Sequence, residues 1–279
     1  MKCPKAWRAA LLILPVLLGA CGNGQALQGT AAVGALGAQG TGDAWGFARP
    51  AGLDELTRAI AQIEGRYRRA DDARAIFATT YLLTTRNIIK AMDRRTFSDR
   101  ARMERITLAF GGLWLDALEA EDKGRRDDVP PAWRLAFDAG KRDRVSPARV
   151  LMLSINAHVI RDLPFAVVAA ARPDASLEPD FKALNKVLAD EVPEVRRALV
   201  SQYGDWPQDV TDRLDDRLPG LAMGAARALS WRLAVQLAAD PVGGARVVED
   251  RAAQSGKLVD QPALLDAVWA WMRWTTRVG

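Results

Sequence analysis

Apolar side chains recur at spacings of three and four from residue 51 to the end of the chain, and no stretch shows sustained period-two alternation. That rhythm matches the 3.6-residue helical turn and leaves no sequence support for a half-buried sheet. Leu53, Leu56, Ile60, Ile63 and Tyr67 carry it through the first segment. Ile76, Phe77, Thr80, Thr84 and Ile88 line one side of a second, over 71–92, whose start carries Asp71 and Asp72. A third, over 99–121, places Met103, Ile106, Phe110, Leu113, Trp114 and Ala117 together. Gly111 and Gly112 inside it signal a close helix approach or a bend.

Proline marks most of the later boundaries. Pro131 opens a short helix through Gly140, and Ser146-Pro147 is a cap and first-turn pair for a long helix to about residue 170. Pro164 lies inside that helix, where it should kink the chain and leave the carbonyl of Ile160 without its usual partner. Further helices are expected at 179–191, 193–203, 208–217, 219–239, 241–255 and 260–277. The fold class is therefore all-α: a single bundle of about nine or ten helices over residues 51–279, with no internal repeat and no second linker.

The N-terminus addresses the chain to a membrane. Lys2, Lys5 and Arg8 precede an uncharged, mainly apolar run over residues 9–20, too short for a bilayer span of roughly 20 residues and suited to a signal peptide. The run ends Leu18-Gly19-Ala20-Cys21, which resembles the lipobox of bacterial lipoproteins. The resemblance implies cleavage before Cys21 and acylation of its sulfur and new amine, with several chains giving durable attachment to membrane lipid. Gly22 follows, with no aspartate to resemble the inner-membrane retention signal, so the outer membrane facing the periplasm is favoured where two membranes exist. Residues 21–50, rich in Gly and Ala, form a tether with a root-mean-square reach of roughly 30 Å.

Charge and cysteine content narrow the chemistry. Without the three leader cations the formal charge falls from +5 to +2, and both signs are interspersed, which argues against a nucleic-acid partner. On the lipobox resemblance Cys3 would leave with the leader and Cys21 would carry lipid, so the domain is expected to have no thiol for catalysis, disulfides or metal. There is no serine-hydrolase elbow, phosphate-binding glycine loop or dinucleotide fingerprint.

The remaining candidate is SINAHVIRDLPFA, residues 154–166. His158 is the single histidine, and Asp162 follows one turn later. Leu151, Ile155, His158, Asp162 and Ala166 share a stripe that points inward; Asn156 and Arg161 lie on other faces. Three readings stand. The pair is a polar network that sets helix packing, or Asp162 orients His158 as a general base in a pocket for a small molecule, with hydrolysis as its chemistry, or the two join further carboxylates on a metal. A zinc enzyme of this class commonly uses two or more histidines, so no metal ligand set and no cofactor is assigned. The second reading requires the turn to open onto a cavity.

Residues 156–166 resemble the N-A-H-I-x-x-D-L-P helix of a family of bacterial proteins known only as a domain of unknown function. Other pieces follow in that family's order: Tyr81 through Thr85, Arg95-Thr96-Phe97, Pro131-Ala132-Trp133 through Phe137, Asp180-Phe181 through Asn185, and Arg227 through Trp231. Coverage runs from about residue 55 to 240. A tyrosine expected late in the third helix is absent, with Leu113 and Trp114 in that region. Tyr81, Thr84, Asn185 and Arg227, gathered by these segments, complete the candidate ligand-binding set around His158 and Asp162. An envelope scaffold or partner-binding protein without enzymatic activity is the rival reading. Trp269, Trp271 and Trp274 near the C-terminus are expected to pack on the domain rather than touch lipid.

Overall fold

The structure is a computed structural model and describes residues 49–142, 145–203 and 217–261, with side chains from residue 223 in the last segment. The leader, Cys21, nearly all of the tether, the helices expected at 208–217 and 260–277, and the C-terminal tryptophans lie outside these residues. Among the described residues there are eight helices and no strand. They are α1 (Leu53–Arg69), α2 (Arg74–Asp93), α3 (Arg100–Asp122), α4 (Pro131–Lys141), α5 (Pro147–Ala170), α6 (Glu178–Tyr203), α7 (Arg217–Ala239) and α8 (Pro241–Val259). The all-α expectation holds, and the described helix count is lower than the nine or ten expected.

One reason for the lower count is Pro193. It was expected to separate two helices, yet α6 runs through it for 26 residues. Proline removes a backbone donor and frees the carbonyl of Ala189, four residues earlier. Ala189 is exposed, so water can take that carbonyl. The side chains on either side of Pro193 are also fastened to α2: Thr84 donates to Glu191 at 2.7 Å, and Asn87 to Glu194 at 3.2 Å.

Several helix starts form as the sequence requires. Asp99 accepts from the Arg102 N–H and opens α3, Ser146 caps α5 with Pro147 in its first turn, and Asp240 caps α8 with Pro241 in its first turn. Asp180, at the head of α6, accepts from the Ser98 N–H at 2.8 Å, the Ser98 hydroxyl at 2.9 Å and the Asp99 N–H at 3.0 Å. One buried carboxylate thereby ties the α2–α3 turn to α6.

α5 is the centre of the bundle. Its 24 residues are long and apolar enough to cross a membrane, but 83% of the most apolar window is buried inside the protein. α4 and α8 pack on its first half, while α3 and α7 pack on its second. Gly111 resolves as a close approach within an uninterrupted α3: a Cβ there would lie 2.6 Å from Leu56 Cδ1 and 3.1 Å from the Tyr81 hydroxyl. The missing side chain lets α3 press onto Leu56 of α1 and Tyr81 of α2, and its neighbour Phe110 packs, half-buried, against the core.

Candidate functional site

α5 departs from α-helical geometry over Ala157–Asp162, which forms a π-turn. The Leu163 N–H donates to the His158 carbonyl, five residues back. In this register the carbonyl that Pro164 cannot reach is that of Val159, not of Ile160 as α-helical spacing implied. Ser230 of α7 donates its hydroxyl to Val159 at 2.6 Å and satisfies that carbonyl. The proline is thus accommodated by a wider turn and a hydroxyl from another helix.

His158 and Asp162 fall on one side of this turn and contact each other. His158 Nδ1 donates to Asp162 Oδ2 at 3.1 Å. Trp133 Nε1 of α4 donates to the same oxygen at 2.8 Å. Arg161 donates to Oδ1 at 2.9 Å and, through Nε, to Glu249 of α8 at 2.9 Å. Besides His158, Asp162 therefore has its own chain neighbour as a charge partner, although helical spacing set Arg161 on another face. Burial opposes the charge on Arg161, but Glu249 and Asp162 outweigh it and hold the guanidinium pKa above its ordinary value.

With its Nδ1 proton engaged by Asp162, the neutral imidazole presents a lone pair at Nε2. Burial lowers the His158 pKa, against the opposing pull of Asp162, and favours that neutral form. Nε2 is buried without a hydrogen-bond partner. Aromatic rings enclose it. Phe110 stacks on the imidazole with centroids 3.5 Å apart, Tyr81 meets it edge-on at 4.6 Å and Phe77 at 5.4 Å, and Trp133 lies tilted at 6.0 Å. Burial, reinforced by the Asp162 carboxylate, pushes the Tyr81 phenol pKa well up, so it stays protonated.

The expected opening onto a cavity is not what the structure presents. His158 is 3% exposed and Asp162 0%. A cavity of about 410 Å³ lies between α4 and α8, lined by Arg126, Pro131, Leu135 and Lys257, and one of about 360 Å³ lies between α1 and α2; neither includes a predicted site residue. Of the four rings around His158, three are buried. Phe110 alone is half-buried, so it is the one of the four rings that reaches solvent.

The six predicted pocket residues divide into three groups. Tyr81 joins His158 and Asp162. Thr84 turns away to Glu191, with Asn87 at 3.4 Å from that carboxylate's other oxygen; its hydroxyl goes across the helix pair rather than to its own backbone. Asn185 and Arg227 form the third group, between α6 and α7: Arg227 Nε donates to Asn185 Oδ1 at 2.6 Å and an Nη donates to the Phe181 carbonyl at 3.1 Å. Phe110, Phe77, Arg161, Glu249 and Ser230 were not in the predicted set. Helical spacing marks the first two as core and cannot say which polar group they face. Asn156 does lie on another face, and there it donates to the Ala252 carbonyl at 2.9 Å and accepts from Ser255 at 2.5 Å, joining α5 to α8. Among the described residues no group of three or more His, Cys, Asp or Glu side chains is placed to hold a metal.

A family model described as a family of unknown function, DUF5995, matches residues 53–262. No curated protein and no solved structure matches the chain.

Proposed function

We propose that this chain, which belongs to the DUF5995 family of unknown function, is a lipid-anchored bacterial envelope protein whose helical domain binds a small molecule at His158. The observation that carries the site is Nε2 of His158: a buried acceptor without a partner, on a ring whose other nitrogen is held by a three-donor carboxylate. A buried polar atom left unpaired costs roughly 1–3 kcal/mol, which a ligand N–H or O–H would recover. Rotation of the half-buried Phe110 exposes the imidazole face without disturbing a buried ring. The ligand that fits is flat and aromatic, offset from the imidazole so that its one donor meets the in-plane lone pair of Nε2, with a ring contact to Tyr81. Hydrolysis fits less well. It needs a water on Nε2 and donors for a developing oxyanion, and the Tyr81 hydroxyl is the sole polar donor offered by those rings that is not already given to Asp162.

The test is nitrogen NMR of the His158 ring during titration with phenol and with toluene, which has the shape but no donor. Phenol should move the Nε2 resonance saturably and bind about tenfold more tightly than toluene, the worth of one net hydrogen bond. Phe110→Ala should raise phenol affinity further by leaving a ring-sized space over the imidazole. An Nε2 resonance unmoved in both proteins would rule the binding site out. The depth of burial favours a second reading, in which the network only fixes the packing of α3, α4 and α5; silence in both titrations is its expected result.

The anchor is tested separately. Cys21→Ser should move the protein from the membrane to the soluble fraction and abolish incorporation of labelled palmitate. Incorporation of the label persisting after that change would refute acylation at Cys21.

A further inference from the structure

Arg227 sits in the middle of an apolar stretch of α7 and is 3% exposed. Its guanidinium lies over the Phe181 ring, 4.2 Å from the centroid. Two of its N–H groups are taken, by Asn185 Oδ1 and the Phe181 carbonyl. Arginine has five such donors, so three have no partner among the described residues. Among the described residues no carboxylate pairs with it. That sets it apart from the half-buried Arg161, which stands between Asp162 and Glu249. Burial without a counter-charge lowers its pKa to about 9, so at neutral pH the side chain still carries its charge. An isolated buried cation is costly enough that proteins normally supply an anion.

The neighbouring side chains are arranged to help. Because arginine can only donate, the oxygen of Asn185 must face Arg227 and its amide nitrogen must face away. Asn185 is half-buried, so that nitrogen can reach a ligand at the α6–α7 seam. Trp231, also half-buried, packs against Phe181 at 4.9 Å and forms an apolar wall beside it.

We infer that Arg227 and Asn185 form an oxyanion-binding site at the seam of α6 and α7, taking a phosphate group carried by a soluble molecule or by a lipid headgroup. The guanidinium supplies its free N–H groups to two oxygens, and the Asn185 amide donates to a third. The site is separate from His158, and neither proposal depends on the other.

The test uses the chain from residue 21 onward with Cys21→Ser, so that vesicle binding belongs neither to the leader nor to the anchor. Melting temperature is followed against inorganic phosphate, with chloride at equal ionic strength as control. Co-sedimentation is measured with phosphatidylglycerol vesicles and with phosphatidylcholine vesicles. A saturable rise of a few degrees in phosphate alone identifies a soluble phosphate ligand. Co-sedimentation with the anionic vesicles, without that rise, identifies a headgroup. Either effect should vanish in Arg227→Met, which fills the space without charge. If that variant does not fold, Asn185→Asp replaces it: an internal carboxylate should raise the melting temperature and abolish the phosphate response. No response to either ligand, or a response unchanged in the variants, overturns the site.

Discussion

Asp162→Ala lowers the stability of the domain by about 4 kcal/mol, enough to unfold much of a protein of ordinary stability. The magnitude follows from what the carboxylate leaves behind. Trp133 Nε1, His158 Nδ1 and Arg161 all donate to Asp162, which is fully buried. Removing it strands three donors, one of them charged, and breaking a buried ion pair from one side costs roughly 3–5 kcal/mol. Asp162→Asn should cost less, about 2–3 kcal/mol: the amide keeps the volume and one acceptor, but its NH₂ faces a donor. Trp133→Phe removes a single donor, leaves the carboxylate two partners, and should cost least of the three. Chemical denaturation of the three variants gives the order. A loss under 1 kcal/mol for Asp162→Ala would mean that the three-donor geometry is wrong.

Glu191→Gln stabilises the protein at pH 8 and has little effect near pH 4. Glu191 is buried in the seam between α2 and α6, and burial raises its pKa from 4.5 to about 7, with Thr84 and Asn87 pulling the other way and Glu194 adding to the rise. Between those two values the folded protein holds a proton that the unfolded chain has released. Stability therefore falls as pH rises across that window and levels off above it. The full effect is on the order of 3 kcal/mol. Glutamine keeps an acceptor for the Thr84 hydroxyl and has no charge to desolvate, so the variant escapes the loss. The quantity to measure is the difference in unfolding free energy between variant and wild type at pH 4 and at pH 8, which cancels the other titrating groups. An equal difference at both pH values would show that Glu191 ionises normally in the fold.

The helical class, most segment boundaries and the inward stripe of α5 were legible in the sequence. So was contact between His158 and Asp162, because partners one turn apart follow from helical geometry whether the turn is α or π. The conditions around them were not legible. Pro164 was read as a kink with a freed Ile160 carbonyl; the π-turn moved the vacancy to Val159, and Ser230, 71 residues away in sequence, filled it. Pro193 was read as a break, and α6 continued because side-chain bonds to α2 over more than 100 residues hold both sides of it. Thr84 was read as a pocket member and was instead a partner of Glu191.

Local rhythm alone determined that this chain makes helices, where most of them start, and which faces turn inward, since each depends on neighbours within a turn or a capping residue. Tertiary structure alone decided which donors meet Asp162, that Phe110 closes over His158, and that Arg227 is buried without a carboxylate beside it among the described residues. Those outcomes depend on which helix faces which, and a buried polar group takes whatever partner the packing brings within about 3 Å, however distant in the chain.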